Sequence, residues 1–293
     1  MKMRNIISLP GIIIRTEDNV RDWRQYTVET LKDLDLWAKK SRGQNFLIRY
    51  RVVNLMIDAA DISPSDHILE IGGGLGILTD ALVDTGAKIT VIEKEPKLAE
   101  FLRDKYKDLE GVEIINDDAL LADWPKGARL IANLPYSISS PVLEKVMHED
   151  IKDAMVMLQR EVALRCLAKP GSSDYSRIST LCRIHSSVKR IMDLSPESFF
   201  PKPKVNSTVI SIWKKEPTIE NDHEELELLI RNLFSLRRRI VRSVVRGFLK
   251  RKDVDENAWE KCPYNQTRIF DLSIKQIDEI LTHLKSMDAF PLA

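Results

Sequence analysis

The chain has 293 residues, 43% hydrophobic and 30% charged, and its 45 Lys and Arg against 44 Asp and Glu leave a formal net charge of +1. That length accommodates one domain of about 200 residues plus a smaller one, and the balance excludes a uniformly polybasic protein, so any nucleic-acid surface must come from local segregation of charge. No apolar run approaches the roughly 20 residues of a membrane span, and Cys166, Cys182 and Cys262, odd in number and widely spaced, indicate neither a disulfide framework nor a zinc site, which makes a reducing cytoplasm the natural setting.

The start, Met1-Lys2-Met3-Arg4 with Ile12-Ile13-Ile14, faintly resembles a signal peptide, but its apolar stretch is short, broken by Pro10-Gly11, and lacks a small-residue cleavage site. From about Asn19 to Lys40, the residues Val20, Trp23, Thr27, Leu31, Leu34 and Ala38 recur at helical spacing. This predicts an extra amphipathic helix packed on the core. A basic cluster, Lys39-Lys40-Ser41-Arg42, then runs into Gly43-Gln44-Asn45-Phe46-Leu47.

From 42 to about 215, strand and helix patterns alternate, the mark of a parallel sheet with helices on both faces. Residues 68–76 read as a strand entering a glycine-dense turn, with a helix-like segment at 77–82. Glu93 ends the next strand, 88–92, at about the spacing of a ribose-binding carboxylate in a βαβ unit. As a strand-end acid it is expected outside the core. Asp118 closes a further apolar segment, 112–115; a helix N-cap before Ala119-Leu120 is the lesser reading and can coexist with a binding role. A nicotinamide-type fingerprint would need Gly or Ala where Ile77 stands, so the pattern is instead Glu-x-Gly-x-Gly-x-Gly: Glu70, Gly72, Gly74 and Gly76.

A short strand, 128–132, precedes Asn133-Leu134-Pro135-Tyr136. Proline fixes its own φ and biases Leu134 toward an extended conformation, so the Leu134 carbonyl points outward beside the Asn133 side chain. Two acceptors and the Tyr136 ring suit a planar base with an exocyclic amine, although the tetrapeptide alone is equally a proline turn with an Asn cap. The alternating, β-branched stretch 205–213 reads as a late strand, and Pro217 lies in a polar linker. The remainder, from Asp222, reads as helices. Within it, residues 231–252 hold nine Lys and Arg and no acid, with Leu233, Leu236, Ile240, Val244 and Phe248 at helical spacing, which predicts a basic helix with one buried face. Arginine dominance favours phosphate contact over a merely solvated face. No internal repeat is visible.

Taken in order, Gly43-Gln44-Asn45-Phe46-Leu47, the glycine loop, Glu93, Asp118-Ala119, Asn133-Leu134-Pro135-Tyr136 and Phe199-Phe200-Pro201-Lys202-Pro203-Lys204-Val205 resemble the ribosomal RNA adenine dimethyltransferases of KsgA type, with the Erm methyltransferases as nearest relatives. The resemblance covers residues 42–252. It implies an α/β fold, a Rossmann-like class I methyltransferase sheet at 42–215, with an N-terminal extension at 1–41 and a small helical RNA-binding domain at 216–293. It implies S-adenosylmethionine as cofactor, held by Gln44, Asn45, Leu47, Glu70, Gly72, Gly74, Gly76, Glu93, Lys94, Asp118, Ala119 and Asn133. Glu93 would accept from the ribose hydroxyls and Asp118 from the cofactor's adenine amine, whereas Glu70 would orient the loop or bind through water.

The target adenine would meet Asn133 and Leu134 through its amine and be sandwiched by Tyr136 and Phe199, while Phe200 would be buried against the helical domain. RNA would be held by Lys39, Lys40, Arg42, Arg237, Arg238, Arg239, Arg242 and Arg246. The partner would be small-subunit ribosomal RNA in an assembling particle, met by a cytoplasmic monomer without a metal. Catalysis would rest on positioning, so His67, His148, His185, His223 and His283, all outside the motifs, read as structural or surface residues. The chain departs from the family at Gly73, where many relatives have proline, and at Arg239, where lysine would follow two arginines. A DNA adenine methyltransferase, a small-molecule methyltransferase and a non-catalytic transcription factor are the competing readings.

Overall fold

The computed structural model describes residues 22–36, 44–216, 219–249 and 260–290. Lys39, Lys40 and Arg42 lie outside the described residues, as do Val20, Ala38, Gly43, Pro217, Lys250, Arg251 and Lys252. The first described element is α1 (Trp23–Asp33), where the Asp22 carboxylate accepts from the Arg24 and Gln25 amides and so caps the helix. The helix stops sooner than its apolar spacing predicts. Asp35 takes a φ of 50°, and the Leu36 amide turns back to donate to the Leu31 carbonyl, a left-handed cap.

Then follow β1 (Phe46–Leu47), α2 (Tyr50–Ala60), β2 (His67–Ile71), α3 (Ile77–Val83), β3 (Lys88–Ile92), α4 (Pro96–Tyr106), β4 (Val112–Ile115), β5 (Ala128–Asn133), α5 (Ser139–His148) and β6 (Ile151–Gln159). Next come α6 (Arg160–Leu167), α7 (Arg177–His185), β7 (Ser186–Leu194), β8 (Phe199–Phe200) and β9 (Ser207–Lys214). The chain up to Ala163, with Lys189–Trp213, forms one compact unit. One sheet runs in the order β4-β3-β2-β5-β6-β9-β7. The pairings from β4 to β6 are parallel, and β9, the late strand, runs antiparallel to β6.

Ile68, Leu69, Ile89, Val91, Leu130 and Ile131 are buried, which explains why these strands read as apolar runs: helices cover both sheet faces. From β2 the chain moves outward to β3 and β4 and returns on the other side as β5. The crevice for a ligand in such a sheet lies at that reversal, beyond the carboxyl ends of β2 and β5. Those ends carry the glycine loop and the Asn133 tetrapeptide.

A separate ladder pairs Phe46 with Phe200 and Leu47 with Phe199. This pairing overturns the expectation for Phe200, which packs instead beside Leu31, Leu75 and Leu98 within the first unit.

The second unit comprises Leu164–Val188 and the chain from Lys214. Leu226, Leu229, Ile230 and Leu233 of α8 (His223–Phe234), Val241 and Val244 of α9 (Val241–Leu249), and Ile277 and Leu281 of α10 (Ile274–Ser286) share a core with Tyr175 and Ile184. The helical unit therefore begins earlier than a boundary near 215 and is discontinuous in sequence. The single basic helix expected across 231–252 is interrupted between α8 and α9, and Leu236 is 51% exposed. There the Ile269 and Phe270 amides donate to the Arg239 and Arg237 carbonyls, so the backbone is used in long-range pairing and not in helix. Among the described residues, no helix is long and apolar enough to cross a membrane.

Candidate active site

Gly74 and Gly76 have φ of 56° and 82°, a region in which a side chain is strained. At Gly76 a Cβ would also lie 2.3 Å from the Tyr106 hydroxyl oxygen. That hydroxyl donates to the Gly76 carbonyl (3.1 Å) and to Asp80 (2.7 Å), while Lys105 donates to the Leu75 carbonyl (3.2 Å) and pairs with Asp80. Burial beside the Asp80 charge pushes the Tyr106 phenol well above its ordinary range. The loop is thus pinned from beneath by Asp80, Lys105 and Tyr106, three residues no motif singled out. Gly73 has a packing cause: a Cβ there would sit 2.6 Å from Val91 Cγ1 and 2.9 Å from Leu102 Cδ1.

Two carboxylates serve this loop differently. Glu70, at the end of β2, is 2% exposed and accepts from the Thr79 hydroxyl on α3 at 2.7 Å, which ties the strand to the helix across the loop. Burial pushes its carboxyl up to about 8. Glu93, expected outside the core, is only 6% exposed. Its two oxygens accept from the Gly74 amide (3.0 Å) and the Glu95 amide (2.9 Å). The loop folds over the end of β3 and buries the acid, and that burial raises its pKa despite the two donors. Each oxygen keeps lone-pair capacity for a further donor, such as a ligand hydroxyl.

The tetrapeptide forms the other side of the same cleft, which also takes in Gln44, Asn45, Phe46, Leu47, Glu70, Gly72, Gly74 and Glu93. Leu134 is buried, and its amide donates to the Met157 carbonyl at 3.1 Å, continuing the β5–β6 pairing into the turn. The Asn133 amide nitrogen donates to the Asn45 carbonyl at 3.4 Å, which leaves the side-chain oxygen as its acceptor. Pro135 lies close to Gly72, 3.2 Å from where a Cβ there would be. The Tyr136 hydroxyl shares a 2.6 Å hydrogen bond with Ser207, and burial raises its pKa. The ring is therefore held at its far end. Among the described residues, no histidine or cysteine lines the cleft.

Four expected cofactor residues, Gly76, Lys94, Asp118 and Ala119, do not line this cleft. Lys94 and Asp118 form a 2.7 Å ion pair, and the Lys94 hydrogen bond holds the Asp118 carboxyl below its ordinary range. Asn116 connects them to the cleft by donating to the carbonyls of Glu93 and Lys94. Asp118 also accepts from the Leu120 amide, but in a turn and not at a helix start. Phe199 is not brought to the cleft either; it is 3% exposed in the core around Leu47, Met157 and Val209.

In the second unit, Arg238, Arg239 and Arg246 are exposed. Arg237 instead donates to the carbonyls of Ser173 (3.0 Å) and Tyr175 (2.6 Å), and Arg242 lies 3.7 Å from Glu260. Trp23 and Thr27 of α1 line the cleft without any motif having marked them. Their helical spacing was legible; what their helix packs against was not.

Comparison with known proteins places this arrangement. A family model described as ribosomal RNA adenine dimethylase matches residues 36–285. A probable ribosomal RNA small subunit methyltransferase A of Pyrococcus abyssi is 37% identical over 248 residues, 83% of this chain and 90% of that protein. Ribosomal RNA small subunit methyltransferase A of Malacoplasma penetrans is 35% identical over 235 residues, 78% and 85% of the two chains. A dimethyladenosine transferase from Plasmodium falciparum has a similar structure, with a TM-score of 0.72 at 26% identity over 83% of this chain and 98% of that one. The 23S rRNA methyltransferase ErmE shares the fold, with a TM-score of 0.62 at 24% identity over 82% and 100%. The chain belongs to the ribosomal RNA adenine dimethylase family.

Proposed function

We propose that this chain transfers methyl groups from S-adenosylmethionine to the exocyclic amine of adenines in a loop of small-subunit ribosomal RNA, two to each target, during subunit assembly. The observation that carries the reading is the meeting, in one cleft, of the glycine loop with Glu93 and the Asn133-Leu134-Pro135-Tyr136 turn. A donor pocket and an amine-accepting turn share a wall.

The residues present fit such a cofactor. The glycine loop allows close backbone approach, and Glu93 is a buried carboxylate with acceptor capacity left for hydroxyls. Gln44, Asn45 and Leu47 would close over it, with Asp118 and Lys94 toward its base. When bound, S-adenosylmethionine supplies an electrophilic methyl on a sulfonium. The chain's own work lies on the acceptor side. An adenine amine is a poor nucleophile because its lone pair is delocalised into the ring. Accepting its two N–H bonds at the Asn133 oxygen and the Leu134 carbonyl favours a pyramidal nitrogen with the lone pair free to attack. The methylated nitrogen is acidic enough to lose its proton to water without a dedicated base. Tyr136 offers the stacking face, worth about 1–3 kcal/mol per base; Phe199 pairs across the short ladder with Leu47, which lines the cleft. A base must leave any stack to enter, which favours a loop target. The small-subunit particle, the exposed arginines as its phosphate contacts and action as a cytoplasmic monomer belong to the same proposal.

Transfer of labelled methyl to naked ribosomal RNA, assembled small subunits and DNA tests it. Incorporation into small-subunit adenines is expected, with none into DNA. Asn133→Ala should slow transfer by about 10²–10³-fold, the scale of removing one aligned polar partner at a reacting centre, while cofactor affinity holds. Label entering DNA alone, or normal turnover in Asn133→Ala, would overturn the reading.

A further inference from the structure

The family match begins at residue 36, yet α1, which lies wholly ahead of it, contributes Trp23 and Thr27 to the cleft. With Phe46, Leu75 and Leu98 they make up an apolar portion of a lining whose other members include Glu70, Glu93, Asn45 and Asn133. The Thr27 hydroxyl is used inside the helix, donating to the Trp23 carbonyl at 2.6 Å. We infer that α1 is a prebuilt wall of the donor pocket and that Trp23 contacts the bound cofactor; this rests on the donor reading above.

The helix is held at several points. Leu31, 3% exposed, packs with Leu75 of the glycine loop and Leu98 of α4. The Trp23 ring stacks on Tyr50 at 5.6 Å with 4° between the planes, and meets the edge of Tyr26 at 5.5 Å. At the carboxyl end of α1, Lys97 donates to the Leu34 carbonyl at 2.9 Å and lies 3.6 Å from Asp35. A cation at that helix end is favoured by the helix dipole. Lys97 and Leu98, in the first turn of α4, follow Glu93 by four and five residues, so α1 is fastened to the segment that carries the buried acid.

Two consequences follow from a wall fixed in this way. An aromatic surface lining the same cleft as Glu93 and Glu70 would exclude water and strengthen the polar contacts made there. Because the wall does not have to open, it should slow ligand escape without slowing entry.

The test uses the full chain and S-adenosylhomocysteine, a stable probe, with dissociation constants from calorimetry and rates from stopped-flow fluorescence. Trp23→Ala should raise the dissociation rate about tenfold, with association little changed, since contact losses act mainly on escape. Trp23→Phe should restore binding close to wild type, and Val28→Ala, on the same helix but outside the lining, should leave both rates unchanged. A folded Trp23→Ala variant with wild-type rates reduces α1 to packing and overturns the inference. Should that variant not melt cooperatively, Trp23→Phe decides: the probe-induced tryptophan fluorescence change should shrink sharply, and its full retention overturns the inference. Failure of the wild type to bind the probe overturns the donor reading itself, a separate result.

Discussion

Glu93 and Glu70 are carboxyl groups at neighbouring strand ends, and the structure separates their work. Glu93→Gln keeps the shape but has one acceptor oxygen for two amides, so either Gly74 or Glu95 loses its partner. Loss of charge-assisted bonds to ribose hydroxyls should weaken cofactor binding by about 1.5–3 kcal/mol. Calorimetric titration checks this, and unchanged affinity in the folded variant would remove Glu93 from the ribose site. The sequence marked Glu93 as an acid at a useful spacing but not as a buried one, because burial comes from the glycine loop folding across β3. Glu70 bears on stability. Its carboxyl is raised from 4.5 to about 8, so between those values the folded chain holds a proton that the unfolded chain has released. Its contribution is therefore complete below 4.5 and is lost as pH rises toward 8. Glu70→Gln, which can still accept from Thr79, should remove that slope: its melting temperature relative to wild type should climb from pH 5 to pH 8. A constant difference across this range would mean that Glu70 is ionised in the folded state.

At the scale of elements, α9 and the turn before it show what periodicity can and cannot tell. Leu233 and Val244 are buried as their spacing predicts, yet the intervening residues leave the helix because their carbonyls are taken by Ile269 and Phe270. No local signal reports a partner some 30 residues further on. The same pairing sorts the arginines: Arg237 holds the Ser173 and Tyr175 carbonyls, while Arg238, Arg239 and Arg246 are exposed. Replacing the exposed three by Glu should abolish binding to small-subunit particles. Each lost phosphate contact should also flatten the log–log salt dependence by about 0.7–0.9. Lysine replacements should cost less, keeping charge but losing the bidentate fork. Wild-type affinity and salt slope in the triple Glu variant would make this a solvated face.

Across the whole molecule, the sheet and the order of its motifs were legible because each strand is a short apolar run ending in a chemically marked turn. Gly72 and Gly74, Glu93 and Asn133 to Tyr136 announced one crevice, and topology brings them to it. The division between units was not legible, since α7 and α8 share a core across an intervening part of the first unit. Residues 216–293 produced alone lack Tyr175 and Ile184 from that core. They should melt without cooperativity by circular dichroism, and adding a peptide spanning 164–188 should restore a transition. A cooperative melt of the fragment by itself would show the shared core to be dispensable. The same discontinuity sets a timetable for the nascent chain. Once α7 has left the ribosome, residues 189–234 have still to emerge before α8 can cover Tyr175, a delay of roughly 2–9 s at about 5–20 residues per second. During the first part of that interval the sheet still lacks β7 and β9, and throughout it the apolar residues of the 164–188 segment stay uncovered, the kind of surface that holdase chaperones retain.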